Sequence, residues 1–220
     1  MTRFRIAAYV RSHRVYQALV PILAMLAIIY ANRAPLGSEA PALADSAVLI
    51  IPMLAWATRS LLDTEPDEQR AISATTAGSR TRELTGGLLA AAAVNTTFAT
   101  LALVCGLLMG LEATPSPDVL LAATVLHVLA VLAGLMLGAL TSRVILPSPA
   151  LSIMTLLFGY LAMLLISITP AYWLTVPVTA WLKAAGAGTL PTDLPALTAI
   201  SLAWCAAGLA GYTWLRRTRP

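Results

Sequence analysis

The sequence predicts an all-α membrane protein. It has six transmembrane helices, an N-terminal amphipathic helix, a charged cytoplasmic helix between the second and third spans, and an apolar outer re-entrant segment. Three observations carry this. Of the 220 residues, 59% are hydrophobic and only 11% charged, with a mean hydropathy of +0.81; soluble domains are roughly half apolar and about a quarter charged. Long apolar stretches fill the chain and contain no Asp, Glu or Lys. The basic residues fall at the ends of those stretches and in the loops. At roughly 20 apolar residues per crossing, six helices use nearly the whole chain, which reads as a single transmembrane domain over 1–220.

The elements follow in order. Residues 2–14 read as a short amphipathic helix, with Phe4, Ala7, Ala8 and Tyr9 or Val10 toward lipid and the arginines toward headgroups. Span one is Val15–Ala31. It reads as an uncleaved span, because the small-x-small site Ala42-Leu43-Ala44 lies too far beyond it for ordinary signal cleavage. Span two is Ala47–Leu62, with Arg59 near its end and able to snorkel. Spans three to six are Leu84–Leu111, Val119–Thr141, Pro149–Thr169 and Leu194–Leu215. In lipid the backbone must satisfy its own polar groups, so these runs are helices. The segment Pro170–Gly186 is apolar but short, broken by Pro177, and carries Trp173, Trp181 and Lys183. Its rings suit the interface, so it reads as a shallow re-entrant or interfacial helix pair.

Charge sets the topology. With six spans and both termini in the cytoplasm, twelve basic residues lie inside and only Arg33 and Lys183 outside, as the positive-inside rule requires. A seventh span at 170–186 would send the C-terminal arginines outside and is rejected. The net charge of +4 is explained by this topology and calls for no nucleic acid. Thirteen of the fourteen basic residues are Arg, a composition that fits a high-GC bacterial genome and hence a bacterial cytoplasmic membrane.

Chemistry within the spans is sparse. Cys105 and Cys205 lie mid-span and read as small hydrophobic residues without metal-ligand spacing. His127 and Asn95 are the intramembrane polar residues. Each reads first as an interhelical hydrogen-bonding group, with a proton relay or ligand contact as the sharper alternative for the histidine. Gly106/Gly110 and Gly134/Gly138 form two G-x-x-x-G pairs, read first as packing within the subunit and alternatively as a dimer interface. No nucleophile with an oriented base, carboxylate cluster for a metal, or midplane ionisable group for ion coupling is found. The reading is that the chain is not an enzyme and holds no metal or cofactor of its own.

The loop 63–83, DTEPDEQRAISATTAGSRTRE, is the most informative local feature. Asp63 or Thr64 can cap a helix, Pro66 fits its first turn, and Glu65, Asp67 and Glu68 suit the positive end of its dipole. Gln69 and Arg70 continue it, Gly78 can end it, and Arg80 and Arg82 follow. A capped helix at the cytoplasmic face makes a docking knob for a soluble partner.

With this loop, the chain resembles the membrane permease subunit of type-2 ABC exporters. The shared order is a basic amphipathic helix, two spans, a charged helix of the form D-x-E-P-D-E-Q-R-A, three spans, a Trp- and Pro-rich re-entrant segment, and a last span with an Arg-rich end. The likeness covers the whole layout and is specific around Leu61–Arg82. It implies that residues at about 65–77 form the coupling helix, seated in a groove of an ABC ATP-binding subunit, and that Asp63, Glu65, Pro66, Asp67, Glu68, Gln69 and Arg70 couple to that subunit. It further implies that the N-terminal helix touches the same partner, that two permease copies or paralogues pair, and that ATP and Mg are bound by the partner. Residues 170–186 would then be an outer gate. The chain has no G-x-x-x-x-G-K-[ST] loop and its one lysine is Lys183, so ATP binding is expected in trans. The apolar spans favour a lipophilic or amphipathic cargo. The alternative reading is a non-transporting membrane scaffold or immunity-type protein with no ATPase partner.

Overall fold

The structure is a computed structural model that describes residues 2–65 and 78–218. The loop residues 66–77, with Pro66, Asp67, Glu68, Gln69 and Arg70, lie outside the described residues. The described elements are α1 (Thr2–Arg11), α2 (Val15–Ile29), α3 (Glu39–Leu49), α4 (Ile51–Leu62), α5 (Arg80–Cys105) with a π-helical turn at Gly106–Gly110, α6 (Pro117–Leu140), α7 (Pro149–Ile168), a 3-10 turn (Tyr172–Leu174), α8 (Val178–Gly186) and α9 (Leu190–Thr218). Among these residues no strand forms, and the one β-bridge pairs Ala34 with Leu111. Five helices are long and apolar enough to cross a bilayer, and six crossings result if α1 and α2, bent by 74°, count as one.

Local sequence accounts for the boundaries. Ser79, Ser116 and Ser148 each accept a backbone N–H of the following first turn, opening α5, α6 and α7. Pro117 and Pro149 stand just inside two of them, where the missing N–H costs nothing. The second long helix starts at Glu39 rather than Ala47, after the left-handed Gly37, and so carries the exposed Asp45 that the apolar-run reading placed outside it. It is interrupted at Ile50, between α3 and α4. Pro52 explains the break: it has no N–H to give the Val48 carbonyl four residues back. The Tyr160 hydroxyl donates to that carbonyl instead, at 3.0 Å.

Contacts fix the path of the chain. Arg14, before α2, donates to the Asp63 carbonyl after α4, and Tyr30, after α2, packs on Gly106 and Gly110 at the far end of α5. The 15-residue α2, ~22 Å long, thus runs the same course as its longer neighbours. The start of α1, the end of α9, Asp63, Ser79 and the 141–148 loop thus share one end, the lower end. At the upper end, the Lys183 ammonium donates to the Ile168 carbonyl at 3.3 Å. The 170–188 segment therefore enters and leaves on one side and does not cross.

The helix α6 is the axis. It packs on α4, α9, α5 and α3, and 56% of its most apolar window is buried, against 22% for α7 and 17% for α9. The outer helices turn Leu157, Phe158, Leu165 and Leu202 outward, as lipid-facing surfaces do.

Two expectations are corrected. Trp181 is not an interfacial ring: it is fully buried, because Val178, Trp181 and Ala185 share the α8 face that packs against α3. Trp173 is exposed, as expected. In α1, Phe4 and Val10 are exposed, but Tyr9 and Arg5 are buried. Spaced four apart, they form a stripe facing the bundle.

Candidate functional site

Arg5 reaches inward from α1 to the lower ends of α4 and α5. Its guanidinium donates to Glu65 at 2.8 Å and to Glu83. Glu83 holds a second arginine, Arg216 near the end of α9, at 2.9 Å. The side chains of Arg5, Glu65 and Glu83 are 5–8% exposed and that of Arg216 is 15% exposed. Two arginines and two carboxylates thus form a charge-balanced, nearly buried node joining four elements. Ions removed from water this far are stable only when fully paired.

Gly87, one turn above Glu83, makes room for the node. A Cβ there would run into the Arg5 guanidinium and come within 3.2 Å of Leu62. The capping serine Ser79 fixes the start of α5, and so fixes where Glu83 stands. Beside the node, Asp63 closes α4. Its Oδ1 accepts the Arg143 backbone N–H at 2.9 Å, and its Oδ2 lies 3.8 Å from Arg59 Nε. The two described ends of the 63–83 loop are therefore both anchored, one through Asp63 and Glu65, the other through Glu83.

The placement of Glu65 bears on the expected docking surface. Its carboxylate is turned into the chain against Arg5 rather than outward. Glu83, Arg5, Arg216 and Gly87 escaped the sequence reading. The available signal was Glu83 itself, an acid set beside an apolar run and close behind Arg80 and Arg82.

The intramembrane polar residues are buried and bonded within the chain. Asn95 donates to the Thr58 hydroxyl at 2.9 Å, tying α5 to α4. His127 lies 2.8 Å from the Ala123 carbonyl through Nδ1, which therefore carries the proton in that contact, and 3.2 Å from the Ser46 hydroxyl through Nε2. The two glycine pairs also meet their own chain: Gly106 and Gly110 receive the Tyr30 ring, while Gly134 and Gly138 receive Leu54, Ala55 and Thr58 of α4. Among the described residues no group of His, Cys, Asp and Glu could hold a metal.

At the upper end, a cavity of about 580 Å³ opens between α7, α8 and α9. Its walls are mostly apolar, with Ala184 and Leu197 among them, and Lys183 and Asp193 stand in it. Its size is that of a small-molecule site.

The chain was compared with family models, curated proteins and solved structures; no match was found in any of the three.

Proposed function

We propose that this chain is the membrane permease subunit of an ABC exporter, working in a bacterial cytoplasmic membrane with both termini and the 63–83 loop in the cytoplasm. A separate subunit binds ATP and Mg, and a second permease copy or paralogue completes the pathway. The observation that carries this reading is the ionic node. It ties both ends of the loop to α1 and α9, so a push on the loop moves four elements together. A lever of this kind needs rigidity and contact area rather than catalytic groups. The chain acts on its cargo by changing shape, not by chemistry, and is no enzyme in this reading. Apolar walls with one cation and one anion at the upper cavity suit an amphipathic cargo near its exit.

The node revises which residues dock. Glu65 serves inside the chain, so contact with the ATPase falls to Asp67, Glu68, Gln69 and Arg70. The test is purification of the tagged protein from native membranes in mild detergent. A stoichiometric ATP-binding subunit is expected with the wild type. The Asp67→Arg/Glu68→Arg variant is expected to insert normally and lose most of that subunit. Recovery of the protein without any nucleotide-binding partner sinks the proposal and favours a non-transporting scaffold.

A further inference from the structure

The stretch from the end of α2 to the first turns of α3 holds charges that the chain itself does not pair. Asp45 is exposed on α3, ~9 Å inside the helix from its start at Glu39. Leu49, one turn further in on the same face, is exposed as well, so this face looks out of the bundle at membrane depth. Among the described residues the Asp45 carboxylate has no hydrogen-bond or ion-pair partner. A carboxylate on the outward face of a span is costly against lipid and calls for a cation. Two basic side chains, Arg33 and Lys183, stand at the upper end among the described residues. Lys183 is engaged with the Ile168 carbonyl. Arg33, in the connection between α2 and α3, is exposed and has no partner among them. Ile28 and Leu36, on either side of it in the chain, are 76% and 75% exposed, more than any other large apolar residue described. Leu36 belongs to the connection and not to a span, and apolar groups left open in this way mark a surface that a partner covers.

We infer that this stretch is the interface with a second copy of the chain, Arg33 of each copy pairing with Asp45 of the other. The inference deepens the proposed pairing of permeases, on which it rests for the existence of a partner, and commits to an identical copy. A two-fold axis makes every contact occur twice, so one open cation and one open anion on the same flank satisfy both copies. The flank is shared: Tyr30, which closes α2, lies near enough to Asp45 to feel its charge, and Arg33 follows three residues later. A guanidinium fork holds a carboxylate through two parallel hydrogen bonds. Ile28 and Leu36 shield the pair from water, the setting in which a charged contact counts most. Further down α2, Ala24 and Ala27 are also exposed, and side chains this small let two helices approach closely.

The test uses the full chain in lipid vesicles without any nucleotide-binding subunit, so a failure to pair and a failure to recruit an ATPase are read separately. Energy transfer between differently labelled copies is followed as the chain is diluted in lipid. The wild type is expected to pair. Arg33→Asp and Asp45→Arg each set like charges against one another and are expected to weaken pairing at least roughly tenfold, given the strength of hydrogen bonds to charged groups. The Arg33→Asp/Asp45→Arg exchange is expected to restore it. Arg33→Asp lies outside the spans and Asp45→Asn keeps the shape of the side chain; both should weaken pairing, and they carry the test if Asp45→Arg does not insert. Melting of the diluted, unpaired chain should be the same for wild type and Arg33→Asp. A wild type that stays single overturns the identical copy. Pairing that Arg33→Asp and Asp45→Asn leave unchanged overturns the interface, and single variants that weaken pairing without rescue by the exchange overturn the contact between these two charges.

Discussion

Glu83→Ala is expected to cost roughly 3–5 kcal/mol of stability, the range for breaking a buried ion pair by removing one partner. Glu83 is the residue both arginines share, at Arg5 and at Arg216. Its loss leaves Arg216 without the carboxylate it holds and Arg5 with Glu65 alone, both in a nearly water-free site. Glu65→Ala removes one of the two acids from Arg5 and leaves the Glu83 bridge, so it should cost less. Thermal unfolding in detergent, followed by loss of the monodisperse peak, ranks the two. If Glu83→Ala melts with the wild type, the node does not join α1, α5 and α9. In the proposed exporter, the same variant also uncouples the loop from the spans, so hydrolysis by the partner should continue without transport.

Gly138→Leu is expected to prevent α6 from seating on α4. A Cβ at Gly138 already meets the Ala55 carbonyl and comes within 2.6 Å of Thr58 Cβ; at Gly134 it would lie 2.6 Å from Leu54 Cβ and 3.2 Å from the Ala55 backbone nitrogen. Backbone cannot step aside as a flexible side chain can. Overpacking a tight site costs about 1–3 kcal/mol, and a branched side chain pressed on backbone belongs at or above the top of that range. Displacing Thr58 also breaks the Asn95 hydrogen bond. Gly211→Leu is the control: nothing lies within 4 Å of a Cβ there, so its yield and melting should match the wild type. If Gly138→Leu leaves the single chain as stable as wild type and abolishes only its self-association, the pair serves a subunit interface instead.

Hydrophobic run length made the crossings legible because it reports one physical requirement, a helix that satisfies its own backbone in hydrocarbon. Run length put two helix starts at Val119 and Pro149; the helices open at Pro117 and Pro149, behind the caps Ser116 and Ser148, which act through the nearest turn alone. The same approach missed the start at Glu39, where Asp45 and Pro41 interrupt the apolar pattern although the helix continues through them. It also misplaced Trp181 and Arg5. Aromatic and basic residues at segment ends usually mark an interface, and only the packing of α8 on α3 and of α1 on α5 turns these two inward. The node was the least legible feature. Its pairs join residues 60, 78 and 133 positions apart, and no periodicity or local motif encodes such separations. The loop's acidic composition was visible, but not that two of its acids, Glu65 and Glu83, belong to the interior.

The central claim is that work enters this protein from a nucleotide-hydrolysing partner through the 63–83 loop. A photocrosslinking side chain placed at Ala71 in living cells tests it most directly, with Ala187 at the upper end as the comparison. The account predicts that Ala71 captures an ATP-binding polypeptide, that capture changes when nucleotide is trapped, and that Ala187 captures none. Capture from Ala187 but not Ala71, or no nucleotide-binding protein from either, would contradict it.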